Sequence, residues 1–169
     1  MVSSRNQEAL DQVAAGFKKD GLEAISIACH IGEPKQLVNL VEKTKEIYGG
    51  VYILVNNAAT NPMFGPLVKM ESSVFDRIMN INVKACFSLA NLCHPIMKSR
   101  GGGAIINISS VEGIKPSNGL GLYSVSKAAL LMLTKTQANE WGPDGIRSNA
   151  ICPGPVSYTH LTLPTIYSV

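Results

Sequence analysis

The sequence of 169 residues lacks the features that mark several classes of protein. It contains no apolar run of the roughly 20 residues that span a bilayer, and its first residues lack the apolar core of a signal peptide. Its net charge is +3, and its basic residues are scattered instead of forming a stripe between aromatics. These absences predict a soluble, cytoplasmic protein that binds no membrane and no nucleic acid.

Cysteine is also scarce, with four residues at positions 29, 86, 93 and 152. They form no C-x-x-C pair and have no histidine pair at ligand spacing nearby, which argues against a zinc site and against a disulfide framework. We predict free thiols in a reducing compartment and no bound metal. Cys86 and Cys93 are seven residues apart and fit one face of a helix.

Hydrophobic residues are plentiful, at 46% of the chain, which is enough to build a core. They follow helical spacing in some segments and form short apolar runs in others. The pattern predicts helices over 7–21, 33–50, 72–99 and 123–142, with a bend near residues 80–82. It predicts strands over 23–29, 51–59, 104–110 and 146–154. This alternation indicates an α/β fold, a doubly wound parallel sheet with helices on both faces.

Polar residues cluster where the predicted strands end. Asn56 and Asn57 follow one strand, Ser109 and Ser110 follow the next, and the segment CPGP follows the last. Ligands of open α/β sheets bind beyond the carboxyl ends of the strands, so we expect the functional site there. The alternative for these residues is purely local, because asparagines can fix a loop and serines can cap a turn.

Tyr123 and Lys127 lie four residues apart at the head of a predicted helix, and this spacing puts them on one face. A cation within about 6 Å favours the phenolate, so the lysine is expected to lower the pKa of the tyrosine into a range useful for proton transfer. The alternative is a surface tyrosine that packs on a lysine stem. Asn82, inside a predicted helix, is by its residue type alone a tolerated polar residue.

Five segments, in this order, resemble the short-chain dehydrogenase/reductase family: NNAA (56–59), NIN (80–82), INISS (106–110), YSVSK (123–127) and NAICPGPV (149–156). The resemblance extends from about residue 2 to residue 156, and is to the type of the 3-oxoacyl-[acyl-carrier-protein] reductases and NADP-dependent carbonyl reductases. It implies a three-layer Rossmann-like fold. It also implies an oxidoreductase that transfers a hydride between NADP(H) and a small-molecule carbonyl or secondary alcohol.

The same resemblance assigns catalytic roles to four residues. It implies that Tyr123 is the general acid and base, and that Lys127 lowers the pKa of Tyr123 and holds the nicotinamide ribose. The family serine lies thirteen positions before the tyrosine, which selects Ser110 over Ser109 as the residue that orients the carbonyl oxygen. Asn82 is implied to kink its helix and to hold a water that relays protons to Lys127.

The cofactor-binding residues that the resemblance implies are Ser4, Arg5, Asn57, Ala58, Ala59, Tyr123, Lys127, Pro153, Gly154 and Val156. Arg5 follows the end of a strand where an acidic residue would bind the ribose of NAD, so NADP is expected rather than NAD. The alternative is a solvated terminal arginine. Ala59 replaces the usual glycine, and His30 replaces an aspartate expected beside the adenine; as an alternative, His30 makes a local hydrogen bond at the end of a strand.

The sequence contains no glycine-rich turn for the pyrophosphate of a dinucleotide. We therefore expect residues 1–156 to be a truncated dinucleotide-binding domain that lacks the first strand-helix unit and the last strand. Residues 157–169 form an atypical tail that is not native family sequence. Such a chain is expected to have unpaired strand edges and exposed apolar faces, and to be poorly soluble or partly folded, and inactive.

Two further expectations follow from the resemblance. The parent enzyme is expected to be a homo-oligomer, either a dimer or a tetramer. A catalytically inactive fragment, or a binding or assembly protein with the same fold, remains the alternative function. The apolar residues Met63, Phe64 and Leu67 indicate either a hydrophobic substrate or the packing of a lid, and the substrate itself is not specified by the sequence.

Overall fold

A computed structural model describes residues 1–154 of the chain. The described residues belong to two compact units, an N-terminal unit of Met1–Val51 and a C-terminal unit that begins at Tyr52. In both units, helices alternate with parallel strands, which confirms the predicted α/β class. None of the helices that the structure describes is both long and apolar enough to cross a bilayer.

The N-terminal unit consists of β1 (Val2–Ser4), α1 (Gln7–Lys19), β2 (Ser26–Ala28) and α2 (Pro34–Tyr48). The two strands pair in parallel, with Val2 opposite Ser26. Helix α1 begins after Asn6, whose side chain accepts a hydrogen bond from the Ala9 N–H at 3.0 Å. Helix α2 begins at a proline and ends at Gly49, whose φ of 74° is left-handed.

The C-terminal unit consists of β3 (Ile53–Asn56), α3 (Ser72–Met79), α4 (Ala85–Ser99), β4 (Gly103–Ile108), α5 (Gly121–Trp141) and β5 (Ile146–Ile151). Its three strands form a parallel sheet in the order β3-β4-β5. Asn56 lies opposite Asn107, and Ile108 lies opposite Ile151, so the carboxyl ends of the strands meet at one edge. The most buried side chains of this unit include Ile78, Met97, Ile105, Leu130 and Ile146.

The long helix predicted over 72–99 is interrupted at the expected place. Helices α3 and α4 are joined by a π-helical turn over Asn80–Lys84, the segment that contains the NIN motif. An extra residue in a helical turn changes the direction in which the following side chains point, and such turns are frequent at functional sites. Asn82, in this turn, is 1% exposed.

The strands are shorter than predicted, because the polar residues after each strand turn into loops. The strand expected over 51–59, for example, is confined to Ile53–Asn56. This strand also lies at the edge of its sheet, and Ile53 and Val55 on one of its faces are 62% and 52% exposed. Within residues 1–154, β3 pairs with β4 on one side only, and an exposed apolar face lies beside its other edge, as predicted.

Candidate active site

Two serines follow β4, and the structure gives them different surroundings. The Ser109 hydroxyl donates a hydrogen bond to the backbone oxygen of Lys127 at 2.9 Å, and this ties the end of the strand to α5. The Ser110 Oγ accepts a hydrogen bond from the Glu112 N–H at 3.2 Å and donates one to the Pro153 backbone oxygen at 3.5 Å. Its hydroxyl is also near enough to the Tyr123 side chain to lower the pKa of that phenol by hydrogen bonding. Ser110, the serine selected from the sequence, is therefore the one beside the tyrosine.

Tyr123 and Lys127 lie in the first two turns of α5, on one face of the helix. The Lys127 Nζ lies 5.5 Å from the centroid of the Tyr123 ring. It donates a hydrogen bond to the backbone oxygen of Ile108 at 2.7 Å, and the lysine is 3% exposed. An ammonium has three donors, and the described hydrogen bond uses one of them. Lys127 is thus a buried cation with donors left for a ligand.

The protonation of this pair corrects one expectation from the sequence. Burial raises the pKa of Tyr123, the hydrogen bond from Ser110 lowers it, and the negative charge of Glu112 raises it further. Burial lowers the pKa of Lys127. The expected lowering of the Tyr123 pKa by the lysine is therefore wrong in its net direction, because desolvation disfavours the phenolate and the ammonium alike.

Asn82 connects the π-helical turn to two other segments. Its Oδ1 accepts a hydrogen bond from the Thr60 N–H at 2.7 Å, and its Nδ2 donates to the Thr60 backbone oxygen at 2.9 Å. The same Nδ2 donates to the Ser126 Oγ at 3.0 Å. Asn82 thus holds the loop after β3 against the helix that carries Tyr123 and Lys127.

The loops at the carboxyl ends of β3 and β5 contain the other predicted cofactor residues of this unit. Asn57 and Ala58 are exposed and Ala59 is half-buried, directly after β3. Pro153 and Gly154 are exposed after β5. The Pro153 backbone oxygen accepts a hydrogen bond from the Val111 N–H at 3.0 Å, which brings this loop beside the turn that follows Ser110. Val156 lies outside the described residues.

Ser4 and Arg5 lie in the N-terminal unit, at the end of β1, and both are exposed. The Ser4 backbone oxygen accepts a hydrogen bond from the Cys29 N–H at 2.8 Å. His30 follows β2, and its Nδ1 accepts a hydrogen bond from the Gly32 N–H at 3.2 Å. This is the local contact that the sequence offered as the alternative for His30.

Two concave surfaces lie on the C-terminal unit. A groove of about 500 Å³ lies at the first residue of α5, between two loops, and is lined by Phe64, Gly65, Pro66, Leu67, Ser117, Asn118, Gly119 and Gly121. A larger concavity of about 820 Å³ contains none of the predicted site residues and is lined by Asp76, Arg77, Met79, Asn80, Val83, Lys84, Phe87 and Leu133. The smaller groove is the better candidate for a substrate site, because it adjoins the helix turn that carries Tyr123.

The residues at the sheet edge suit the nicotinamide end of a dinucleotide. Lys127 offers unused donors for ribose hydroxyls, and the exposed Pro153 and Gly154 present backbone beside Ser110. The described residues contain no glycine-rich turn for the pyrophosphate. Within residues 1–154, no three of the His, Cys, Asp and Glu side chains come together as a metal site would require.

Sequence reasoning missed three contributors to this site: Thr60, Ser126 and Glu112. Thr60 and Ser126 contribute through their hydrogen bonds to Asn82. They lie 22 and 44 residues from Asn82 in the sequence, so the spacing of the motifs did not predict these contacts. Glu112 follows Ser110 by two positions, and an acidic residue so close to a candidate serine was a usable signal.

Comparison with known proteins gives two consistent results. The family described as short chain dehydrogenase matches residues 1–165 of this chain. Dehydrogenase/reductase SDR family member 4 of Homo sapiens is 42% identical over 154 residues, which are 91% of this chain and 55% of that relative. The chain spans about half the length of the curated relatives it matches.

Two solved structures have the same fold. NAD+-bound xylitol dehydrogenase is 32% identical with a TM-score of 0.86, and the match covers 90% of this chain and 58% of that one. A gluconate 5-dehydrogenase from Burkholderia cenocepacia, in complex with NADP and tartrate, is 29% identical with a TM-score of 0.87, covering 93% and 61%. The predicted Rossmann-like fold, present here in part, is thereby confirmed.

Proposed function

Because this chain belongs to the short-chain dehydrogenase family, we propose that the protein of which it represents this part is an NADP-dependent oxidoreductase that acts on a carbonyl or secondary alcohol. The observation that carries the proposal is the convergence of Ser110, Tyr123 and Lys127. These residues come from the end of β4 and from α5, and they meet at the carboxyl edge of the sheet.

Tyr123 is the proposed acid and base. A bound nicotinamide supplies or accepts the hydride. Tyr123 is a phenol at neutral pH, since burial raises its pKa above the ordinary value of 10, and it donates its phenolic proton to the substrate oxygen during reduction. In the opposite direction the phenolate takes the proton of the alcohol.

Three residues support this proton transfer. Ser110 would bond the same substrate oxygen that Tyr123 protonates, and so orient the carbonyl. Lys127 would hold the ribose of the cofactor with the donors that Ile108 leaves unused. Asn82 keeps the loop after β3 in position against α5 through Thr60 and Ser126. A proton-relay water held by Asn82 is part of the proposal.

We assign NADP rather than NAD on the basis of Arg5. A guanidinium at the end of β1 can pair with the extra phosphate of NADP, and Arg5 is exposed. The two similar solved structures hold NAD and NADP respectively. They favour neither cofactor, so the assignment of NADP is based on Arg5. Asn57, Ala58, Ala59, Pro153, Gly154 and Val156 are the proposed lining of the cofactor cleft.

The groove beside α5 is the proposed substrate site. Phe64, which is 75% exposed, and Leu67, which is 59% exposed, give it an apolar wall. An apolar wall at the first residue of α5, two positions before Tyr123, suits a small molecule with one carbonyl or hydroxyl group and an apolar remainder. Polar substrates such as the sugar acids named for similar proteins fit this wall less well.

We also propose that the active enzyme is a soluble, cytoplasmic homo-oligomer, a dimer or a tetramer. The larger concavity on α3, α4 and α5 includes Phe87, which is 48% exposed, and Met132 on α5 is 61% exposed. Apolar side chains exposed on neighbouring helices favour a partner surface. The four free cysteines suit a reducing compartment. If the chain proves inactive, a non-catalytic assembly protein is the alternative that this surface supports.

Cofactor binding is the direct test. The 169-residue chain is titrated with NADPH and followed by the fluorescence of the nicotinamide, in parallel with Lys127→Ala and with Lys135→Ala. Lys135 is an exposed lysine two turns further along the same helix, so it controls for the loss of a positive charge. Saturable binding that is weakened at least about tenfold by Lys127→Ala and unchanged by Lys135→Ala supports the proposal.

The cofactor preference is tested in the same titration by comparing NADPH with NADH. Arg5→Ala is expected to weaken the binding of NADPH about tenfold and to leave the binding of NADH unchanged, because the substitution removes a partner of the extra phosphate, which only NADPH carries. Equal losses for both cofactors would refute the assignment of NADP. Absence of any binding in the unsubstituted chain would favour the inactive alternative.

A further inference from the structure

One short turn connects the two sides of the candidate active site. Residues Val111–Gly113 form a 3₁₀ turn directly after Ser110, and α5 begins at Gly121 and carries Tyr123. Glu112 stands in the middle of this turn. It is a half-buried acidic residue to which the proposed mechanism gives no task.

The hydrogen bonds of Glu112 connect it both to Ser110 and to the first turn of α5. Its N–H donates to the Ser110 Oγ at 3.2 Å. Its carboxylate accepts from the Ser117 N–H at 2.9 Å and from the Ser117 hydroxyl at 2.6 Å. It also accepts from the Ser124 hydroxyl at 2.9 Å, and Ser124 is the neighbour of Tyr123 in α5. A single side chain thus joins the turn after Ser110, the loop that follows, and the first turn of the catalytic helix.

The turn itself sits directly on α5. A Cβ placed on Gly113 would lie 2.8 Å from the backbone carbon of Lys127 and 2.9 Å from its oxygen. Ser109 bonds to the same backbone oxygen from the other end of the turn. With its main chain held at both ends, the turn fixes where the Glu112 carboxylate lies relative to Tyr123.

The carboxylate is also charged in the neutral range. Hydrogen bonds from the Ser117 side chain and backbone, and then from Ser124, hold the pKa of Glu112 below its ordinary value of 4.5. Around Tyr123, the ionisable neighbours are Glu112 on the turn and Lys127 on the same helix, with the Ser110 hydroxyl bonded to the phenol. A negative charge here makes the phenolate less favourable and the phenol more favourable.

We propose that Glu112 is a positioning residue, which ties the Ser110 turn to the first turn of α5 and places a negative charge beside Tyr123. This charge disfavours the phenolate form of the tyrosine. The inference rests on the proposed function in one respect, that Tyr123 is the proton donor.

The test is a titration of Tyr123 in the full chain. The sequence has five tyrosines, so the absorbance of tyrosinate is measured for each variant and for the same variant with Tyr123→Phe, and the difference isolates Tyr123. A stopped-flow pH jump reads the absorbance before the protein can unfold. The variants are Glu112→Gln, which removes the charge, Glu112→Asp, which keeps it, and Ser124→Ala, which keeps the charge and removes the bond to Glu112 together with the bond from Ser124 to the Leu120 backbone oxygen. Amide hydrogen exchange over residues 121–124 reports on the tie.

Glu112→Gln is expected to lower the titration midpoint of Tyr123 by about half a pH unit, the size of an interaction between partly exposed charges. Glu112→Asp is expected to keep the wild-type midpoint. Ser124→Ala is expected to keep the midpoint and to speed amide exchange in the first turn of α5. An unchanged midpoint in Glu112→Gln, an equal shift in Ser124→Ala, or unchanged exchange in Ser124→Ala would each overturn the proposal. The titration needs no cofactor, so a failure to bind NADPH would favour the inactive alternative for this chain and leave this result standing.

Discussion

Asn82 and Thr60 exchange two hydrogen bonds, of 2.7 and 2.9 Å, so that the side-chain amide of one pairs with both backbone groups of the other. This arrangement satisfies the backbone of a loop that has no strand partner at that point, and it does so from a buried position. A third bond to Ser126 extends the connection to α5. The loop that follows β3 is thereby fixed to α5, the helix that carries Tyr123 and Lys127.

Replacement of Asn82 by alanine is expected to lower the free energy of unfolding by about 2–3 kcal/mol, because it leaves buried partners without hydrogen bonds. Urea denaturation followed by circular dichroism measures the change. Asn80→Ala, in the same π-helical turn, serves as the control, since the Asn80 side chain makes no hydrogen bond within residues 1–154. Equal losses for the two variants would show that the turn, and not the Asn82 amide, carries the stability.

Gly113→Ala tests the close approach between the Ser110 turn and α5. A Cβ there would lie 2.8 Å from Lys127 backbone, so the turn must shift, at an expected cost of about 1–3 kcal/mol. Gly121→Ala is the matched control: its Cβ would meet Leu67 at an ordinary 3.5 Å. In α5 this alanine is expected to stabilise by about 0.5–1 kcal/mol. The midpoint temperature of thermal unfolding should therefore fall in Gly113→Ala and rise in Gly121→Ala. An unchanged midpoint in Gly113→Ala would contradict the packing described.

Cysteine reactivity tests whether the chain is folded. Cys86 and Cys93 are buried, and burial raises the pKa of these thiols to about 11 and about 12. Cys29 is buried and its pKa is also raised, by burial. Cys152 is half-buried. A thiol reagent at mildly alkaline pH is expected to modify Cys152 quickly and the other three slowly, because the thiolate is the reactive form.

The measurement is a time course of thiol modification, with Cys152→Ser as the control that should lose the fast phase. Rapid reaction of all four cysteines in the native buffer would show that the chain is partly folded, as its sequence led us to expect.

Asp144 predicts a dependence of stability on pH. Hydrogen bonds from Lys98, and then from His94, hold the pKa of this carboxyl below its ordinary value of 3.8. A carboxyl whose pKa is lowered by folding stabilises the folded state above its unfolded pKa, and this contribution is lost as the pH falls through the lower, folded value. The unfolding midpoint of the unsubstituted chain should therefore exceed that of Asp144→Asn at neutral pH, and the two should converge below pH 3.8.

The control for this prediction is Lys98→Met, which removes the first of the two partners. In a chain that carries Lys98→Met, the further substitution Asp144→Asn should lower the unfolding midpoint by less than it does in the unsubstituted chain. A gap that persists unchanged into strong acid would show that the carboxylate charge is not its source.

Much of the fold could be predicted from the sequence, because helices and strands leave local periodic signals. The start of α2 at Pro34 and its end at Gly49 follow from the backbone preferences of proline and glycine. The pairing of Tyr123 with Lys127 on one face follows from a spacing of four residues. The choice of Ser110 over Ser109 came from family spacing, and the structure places Ser110 beside the tyrosine.

Other properties of the site depend on residues that are far apart in the chain. The Tyr123 pKa could not be predicted in its net direction, because burial is created by packing and opposes the lysine. The partners of Asn82 and the bridge made by Glu112 also arise when loops and helices come together. The sequence by itself determined the order of helices and strands and the shared helix face of Tyr123 and Lys127, since those depend on local geometry. The tertiary structure alone decided the burial that shifts their pKa values and the contacts that fix their positions, since desolvation and long-range hydrogen bonds exist only in the folded chain.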